Sequence, residues 1–236
     1  MDFEYVDATR VKAIPYNVPV IGYGGKDVNT LHLWEACLEH ETLDMEEFNE
    51  GNYDKAFKKK CDVEALTSVL YPDDSKGIGR RLRLRQEYFL VAAGMGFICN
   101  EYVAKYGPDQ WHEFPERVAI HINDTHPTLC IPELMRILLD EKKLGWDEAW
   151  EITTNTISFT NHTVLPEALE RWTIPEVKDL LPRVYMIIEE INRRWQDGLD
   201  QSSPDYMEIA AATAPLWANQ VRMANLSVIG SNSVNG

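Results

Sequence analysis

Three segments gather chemistry-bearing side chains where the chain leaves an apolar run. In residues 118–136 (VAIHINDTHPTLCIPELMR), Val118, Ala119, Ile120 and Ile122 predict a short buried strand, and Asn123, Asp124, Thr125 and His126 follow at once. Pro132 and Glu133 then suit the first turn of a helix over 131–139. Residues 152–172 (ITTNTISFTNHTVLPEALERW) repeat the design: a β-prone stretch over 152–159, the cluster Thr160, Asn161, His162 and Thr163, and a helix-like opening at Pro166 and Glu167. Residues 223–229 read as a third strand, and 230–236 (GSNSVNG) as a polar loop whose glycines let backbone N–H groups approach a ligand. Open α/β sheets bind ligands beyond the carboxyl ends of their strands. A carboxylate, amides, hydroxyls and imidazoles at three such tips suit a polyhydroxylated ligand better than a metal or a nucleic acid.

Each residue also has a plainer role. Asp124 and His126 could pair with each other or cap the next helix. An unperturbed imidazole changes charge near neutrality, so His162 could act as a general base, or it could be a core histidine with both nitrogens satisfied; both readings bury it. Asp124, His126 and His162 could ligate a metal in a metal-dependent hydrolase, although no ligand spacing supports that. Asp73, Asp74 and Ser75 read as a solvated turn. Arg80, Arg81, Arg83 and Arg85 form the one strong basic run. The seven tryptophans are assigned to packing rather than to sugar stacking.

The runs NDTHPTLCIPELMR, TNHTVLPEALERW, MANLSVIGSNSVNG and LYPDDSKGIGRRLRLRQEYF (residues 70–89) closely resemble the N-terminal half of the glycogen/starch/maltodextrin phosphorylases. The likeness runs nearly end to end, from IPYNVPVIGY (14–23) and VNTLHLW (28–34) to VNG (234–236). It implies an α/β fold: part of the Rossmann-like N-terminal lobe of a two-lobed, GT-B type glycosyltransferase. Residues 1–45 would be a strand- and loop-rich segment and 46–236 an α/β core.

It implies phosphorolysis, in which phosphate attacks the terminal α-1,4-linked glucose of a glucan and releases glucose 1-phosphate with retained configuration. The cofactor would be pyridoxal phosphate, attached to a lysine in a C-terminal lobe that this chain lacks. By the resemblance, Asp124 and His126 face the catalytic cleft. The backbone carbonyl of His162 accepts a hydrogen bond from the sugar 6-hydroxyl and favours positive charge developing on the ring. Asn161 and Thr163 shape the same pocket. Asp74 gates phosphate entry by charge repulsion, and Arg83 lies near the cleft. The family commonly has Asn at the positions of Asp73 and Ser75 and His at that of Asn232, which puts the direct sugar contact of Ser75 in question. Family members are several times longer, so the chain reads as a fragment that supplies the sugar-site wall and gate loop and is inactive alone. A non-catalytic sugar-binding module is the alternative.

Composition sets limits. The 236 residues suffice for a sizeable core, and 44% are hydrophobic. A net charge of −15 lacks the electrostatic footprint of a nucleic-acid binder. No apolar run reaches membrane-spanning length, and the start MDFEYVDATR is no secretory signal. Four scattered cysteines without a CxxC pair predict reduced thiols and a cytoplasmic setting. A lobe without its partner should expose apolar surface, which predicts self-association into a homo-oligomer.

The expected elements are short strands and turns over 1–34, broken at Gly24 and Gly25. Helix-leaning residues follow over 45–60, interrupted at Gly51, and then a helix over 63–70 capped by Asp62. A loop is expected over 72–79 and a long helix over 82–106. Residues 111–116 read as a linker, Gly145 as the residue closing the helix that ends at 143, and 146–150 as a short helix. A helix pair over 174–181 and 184–195 is split by Pro182, and a further helix covers 206–212.

Overall fold

A computed structural model describes residues 3–6, 8–39 and 43–236. They divide into two compact units, Phe3–Ala93 and Gly94–Gly236. The expectation of a strand- and loop-rich segment over 1–45 lies outside the described residues at 1, 2, 7 and 40–42.

The first unit is built on one hairpin. β1 (Val11–Ile21) pairs antiparallel with β2 (Val28–Leu38) over eleven residues each, from Val11↔Leu38 to Ile21↔Val28. Short strands were expected because Pro15 and Pro19 look like breaks. They are four residues apart in a period-2 element, so both point their N–H-less nitrogens off the single ladder. The turn closes through Gly24 and Gly25 at φ 75° and 69°. Tyr16, Val18, Leu31 and Leu33 lie opposite one another and leave an exposed apolar stripe.

Two short helices follow, α1 (Met45–Asn49) and α2 (Tyr53–Ala56), parted at Gly51 with φ 81°. α3 (Lys58–Ser68) lays Val63 and Leu66 on Ala36 of β2 and on Phe89. Asp62 is therefore no cap: it sits inside α3 and pairs with Lys58 at 2.7 Å, a helical i,i+4 spacing. The long helix α4 spans Gly77–Tyr106, five residues earlier than its apolar periodicity shows.

The second unit holds a three-stranded parallel sheet, β3 (Ile120–Asn123), β4 (Ile157–Thr160) and β8 (Ser233–Asn235), in the order β3-β4-β8. The supposed linker over 111–116 is a 3-10 turn and α5 (Phe114–Arg117), with Trp111 and Phe114 buried. α6 (Cys130–Arg136) runs into a π-turn at Ile137–Glu141, and α7 (Trp146–Thr156) leads into β4. Ile152 to Thr156 are thus helical, not strand. Thr154 and Thr156 bond their hydroxyls back to Trp150 O and Ile152 O at 2.9 and 2.7 Å, which keeps β-branched residues in the helix. Gly145 does not close the preceding helix. It is extended (φ −69°, ψ 158°), and Lys143 takes the left-handed position at φ 60°.

A second, antiparallel sheet orders β5 (Arg171–Thr173), β7 (Gln220–Arg222) and β6 (Leu216–Trp217) as β5-β7-β6. Pro166 and Glu167 open only a 3-10 turn, Pro166–Ala168. α8 (Ile174–Leu180), with a full Thr173–Glu176 capping box, and α9 (Pro182–Asp197) form the expected pair. α10 is Tyr206–Thr213. Residues Met223–Ile229 form α11, not a strand, and β8 follows within the supposed loop. Met223, Leu226 and Ser227 are buried at helical spacing. Ile122, Ile157, Phe159, Leu134, Leu138, Ile187 and Ile188 form the fully buried core of this unit.

Candidate functional site

β3, β4 and β8 are parallel neighbours, so their carboxyl ends lie on one side of the sheet. The register sets Asn123 beside Thr160, and Thr160 beside Asn235. Beyond Asn123 the chain turns through Asp124, whose φ of 62° is in the left-handed region. Asp and Asn tolerate that region better than other L-residues. The Asp124 N–H donates to Thr160 O at 2.8 Å, anchoring the exit from β3 to the end of β4.

Side chains join the tips. Asp124 Oδ1 accepts from the Thr125 N–H at 2.6 Å. The Thr163 hydroxyl donates to the Asp124 carboxylate, with its oxygens at 3.3 and 3.2 Å. Asn161 brackets Thr163: Oδ1 accepts from Thr163 N at 3.1 Å and Nδ2 donates to Thr163 O at 3.0 Å. The Asn161 N–H donates to Asn235 O at 2.8 Å, and a Cβ on Gly236 would come within 2.9 Å of Asn161 O. Glycine is the residue that fits beside this turn.

His162 Nε2 lies 2.6 Å from Asn123 Oδ1. Since Oδ1 only accepts, Nε2 carries the proton and is no free base in this geometry. No hydrogen bond among the described residues goes to the His162 carbonyl. His162 is exposed, which corrects the expectation of burial: its ring lies along the polar edge of the sheet with Asn123 instead of entering the core. Asp124, Asn161 and Thr163 are half-buried.

His126 stands apart. It is exposed and its Nδ1 lies 3.7 Å from Glu170 Oε2, which also accepts from Thr125 Oγ1 at 3.1 Å. The simple Asp124–His126 pairing is thus replaced by a Glu170 partner 44 residues downstream, which no local pattern signals. Asp124 does not cap α6 either: the N-cap position is Leu129, and no side chain caps the helix. Among the described residues, Asp124, His126 and His162 do not bring their ligand atoms together within 4.8 Å, so this trio does not form a metal cluster.

Two residues absent from the candidate set complete the tips. The Thr160 hydroxyl donates to Asn235 Oδ1 and lies against His121 Nε2, both at 2.6 Å. His121 could have been found, because it is two residues from Asn123 on the same strand face. Asn235 could not, once 223–229 was read as the strand.

In the first unit, Asp74 and Ser75 are exposed in the loop before α4. Ser75 N–H donates to Asp73 Oδ1 at 3.0 Å, and the Ser75 hydrogen bonds hold the Asp73 carboxyl below its ordinary range. A Cβ on Gly79 would fall 1.7 Å from Asp73 O, so glycine lets the loop fold back onto the first turn of α4. Arg83 is committed within this unit: Nε donates to Glu87 Oε1 at 2.8 Å, Nη1 donates to Leu70 O at 3.1 Å, and the guanidinium stacks over Tyr71 at 4.9 Å.

A pyridoxal phosphate Schiff base needs a desolvated amine. Every lysine is exposed except half-buried Lys142, whose ammonium lies over the Trp111 ring at 5.4 Å. The residues present do not fit covalent attachment of that cofactor.

Comparison with known proteins decides the family. The sequence model described as "Phosphorylase: Carbohydrate phosphorylase" matches residues 1–236. The chain belongs to the carbohydrate phosphorylase family. It is 44% identical over 240 residues to the cytosolic alpha-glucan phosphorylase 2 of Arabidopsis thaliana, covering 99% of this chain and 28% of that protein. It is 45% identical over 236 residues to the glycogen phosphorylase of Bacillus subtilis, covering 100% of this chain and 28% of that one. The muscle glycogen phosphorylase of Ovis aries is 42% identical over 242 residues, with coverage of 99% and 29%. This phosphorylase chain therefore spans less than a third of the relatives it matches. No helix among its described residues is long and apolar enough to cross a membrane.

Proposed function

We propose that this phosphorylase chain forms one wall of the glucan site of an α-1,4-glucan phosphorylase. The observation that carries this reading is the convergence of Asp124, Asn161, His162 and Thr163 at the ends of adjacent parallel strands, where open α/β sheets bind ligands. Within an intact enzyme, with this chain as part of a GT-B type N-terminal lobe, the glucan's terminal glucose rests on these tips. The unpartnered His162 carbonyl faces its 6-hydroxyl, and Asn161 and Thr163 hold that carbonyl in place. Asp124 and His126 border the cleft. Asp74 and Ser75 form the gate loop, and Arg83 steadies it through Glu87 and Leu70. Phosphate cleaves the terminal α-1,4 bond and glucose 1-phosphate leaves. Pyridoxal phosphate supplies a proton-relaying phosphate when bound, held by a lysine outside this chain. A cytoplasmic setting fits the free thiols and the cytosolic alpha-glucan phosphorylase of Arabidopsis thaliana.

The test is a chimaera. The 236-residue segment replaces the matched segment of the Bacillus subtilis enzyme, and phosphorolysis of maltodextrin is assayed in the chimaera and in the isolated chain. Activity in the chimaera, lost on Asp124→Ala, and none in the isolated chain is the expected result. A folded but inactive chimaera would favour a non-catalytic sugar-binding module. Turnover by the isolated chain would overturn the reading.

A further inference from the structure

Behind the strand tips of the Gly94–Gly236 unit, buried polar residues form one chain. Thr125, Thr128 and Ser227 are all sealed from solvent. The Thr128 hydroxyl donates to Thr125 O at 2.7 Å, and the Thr128 N–H reaches the same oxygen at 3.1 Å. A hydroxyl carries a single proton, so the 2.7 Å contact between Ser227 Oγ and Thr128 Oγ1 is donated by Ser227. The order is therefore fixed: Ser227 hydroxyl, Thr128 hydroxyl, Thr125 carbonyl. Ser227 lies on α11, 99 residues from Thr128, and the carbonyl at the end of the chain belongs to the turn that carries Asp124 and His126.

Both ends of this chain lead to strand tips. On one side, the Thr125 N–H donates to Asp124 Oδ1 at 2.6 Å and its hydroxyl donates to Glu170 Oε2 at 3.1 Å. On the other, α11 closes at Gly230, where a Cβ would come within 2.6 Å of Ile131 Cδ1 on α6, and β8 follows at Ser233–Asn235. The turn off β3 and the 233–236 tip are thus joined at the back by a directional hydrogen bond and a close contact. Stability alone does not call for hydroxyls here. Replacing both partners of a buried hydrogen bond by apolar groups of the same shape is nearly neutral, whereas removing one leaves an orphan. What the hydroxyl pair adds is direction, because a hydrogen bond weakens steeply when bent and apolar contact does not.

We propose that Ser227 and Thr128 are positioning residues that set the Asp124 turn in register with the 233–236 tip. This rests on the reading of those tips as one wall of a glucan site. Sealed from solvent, neither side chain touches a sugar; both act through the Thr125 carbonyl on where Asp124 stands. A displacement of about 1 Å at a reacting group can cost a hundredfold in turnover, so a bond this far from the sugar has a catalytic readout.

The test compares Thr128→Val, which keeps the shape and loses the hydroxyl, with Thr128→Ser, which keeps the hydroxyl and loses a methyl. Ser227→Ala and the double variant Ser227→Ala/Thr128→Val complete a cycle. In the 236-residue chain, NMR hydrogen exchange at the Asp124 and Thr125 amides reads the turn, and Tm with exchange at Ile187 and Ile188 reads global stability. The expected result is exchange of the two turn amides faster by about five- to tenfold in Thr128→Val and in the double variant, the equivalent of one lost hydrogen bond, and unchanged in Thr128→Ser. Tm falls in each hydroxyl-deleting single variant and recovers in the double variant, which leaves no orphan. In the chimaera, kcat for phosphorolysis falls at least about tenfold in Thr128→Val and stays low in the double variant although Tm has recovered, while Thr128→Ser retains it. The Michaelis constant for phosphate holds, because the 73–75 loop lies in the Phe3–Ala93 unit. If the unsubstituted chimaera is inactive, the glucan-site reading fails and amide exchange alone decides the positioning. Unchanged exchange at Asp124 and Thr125 in the double variant, kcat that recovers together with Tm, or Thr128→Ser as impaired as Thr128→Val would overturn the proposal.

Discussion

Asp124 carries both a chemical role and a backbone strain, and a substitution series separates them. Its carboxylate accepts from Thr125 N–H and Thr163 Oγ1, and its backbone sits at φ 62°. Asp124→Asn keeps the shape, one acceptor oxygen and the backbone tolerance. It should cost under about 1 kcal/mol, roughly the charge-assisted part of two half-buried hydrogen bonds. Asp124→Ala loses both bonds and holds an alanine in the left-handed region, which adds about 1–2 kcal/mol. Asp124→Gly loses the bonds but not the backbone tolerance, and its floppier unfolded chain costs about 0.4–1 kcal/mol. The expected order of stability is Asp, Asn, Gly, Ala, with Gly above Ala by roughly 0.5–1 kcal/mol. Urea unfolding of the 236-residue chain reads these differences from midpoints at constant slope. If alanine proves as stable as glycine, the turn off β3 is not left-handed and the reasoning fails.

Other consequences follow from single contacts. Gly79→Ala, with its Cβ 1.7 Å from the backbone Asp73 O, should push the 73–75 loop off the first turn of α4 at a cost of about 1–3 kcal/mol by urea unfolding, and in the chimaera the Michaelis constant for phosphate should change. Gly230→Ala would set a Cβ 2.6 Å from Ile131 Cδ1 inside the core and should cost about 1–3 kcal/mol by urea unfolding, partly recovered in the double variant with Ile131→Val. Arg193, and after it Arg194, hold the Glu190 carboxyl down at about 2, against an unfolded value near 4.5. Its contribution is therefore fully present above about pH 4.5 and lost as pH falls through about 2, so the stability gap between the chain and Glu190→Gln should shrink over that window. Burial pushes the Cys99 and Cys130 thiols up to about 12, while Cys61 is exposed; a thiol reagent at pH 8 should label Cys61 at once and the buried pair only on unfolding.

The parts of the fold legible in the sequence are those where one local signal dominates. β3, α4, the α8–α9 pair and α10 have clear periodicity and boundary residues. The misread segments carry conflicting signals. Four of the five residues from Ile152 to Thr156 are β-branched, yet the stretch is helical, because the helix is packed through Ala149, Ile152 and Thr153 and its threonine hydroxyls find acceptors one turn back. Met223–Ile229 contains no helix breaker and no clear alternation, so only its packing through Met223 and Leu226 decides it. That error moved the third strand tip by one element, although the idea of three converging tips stands, with Asn235 and Gly236 against Asn161. Partners distant in sequence, such as Glu170 for His126 and Asp140 for Arg183, leave no local trace.

The measurement closest to the central claim is a crystal structure of the active chimaera with a maltooligosaccharide bound. The account predicts that the terminal glucose contacts the turns over 123–126 and 161–163, with its 6-hydroxyl within hydrogen-bond distance of the His162 carbonyl. A sugar seated in the active enzyme without touching either turn would contradict it.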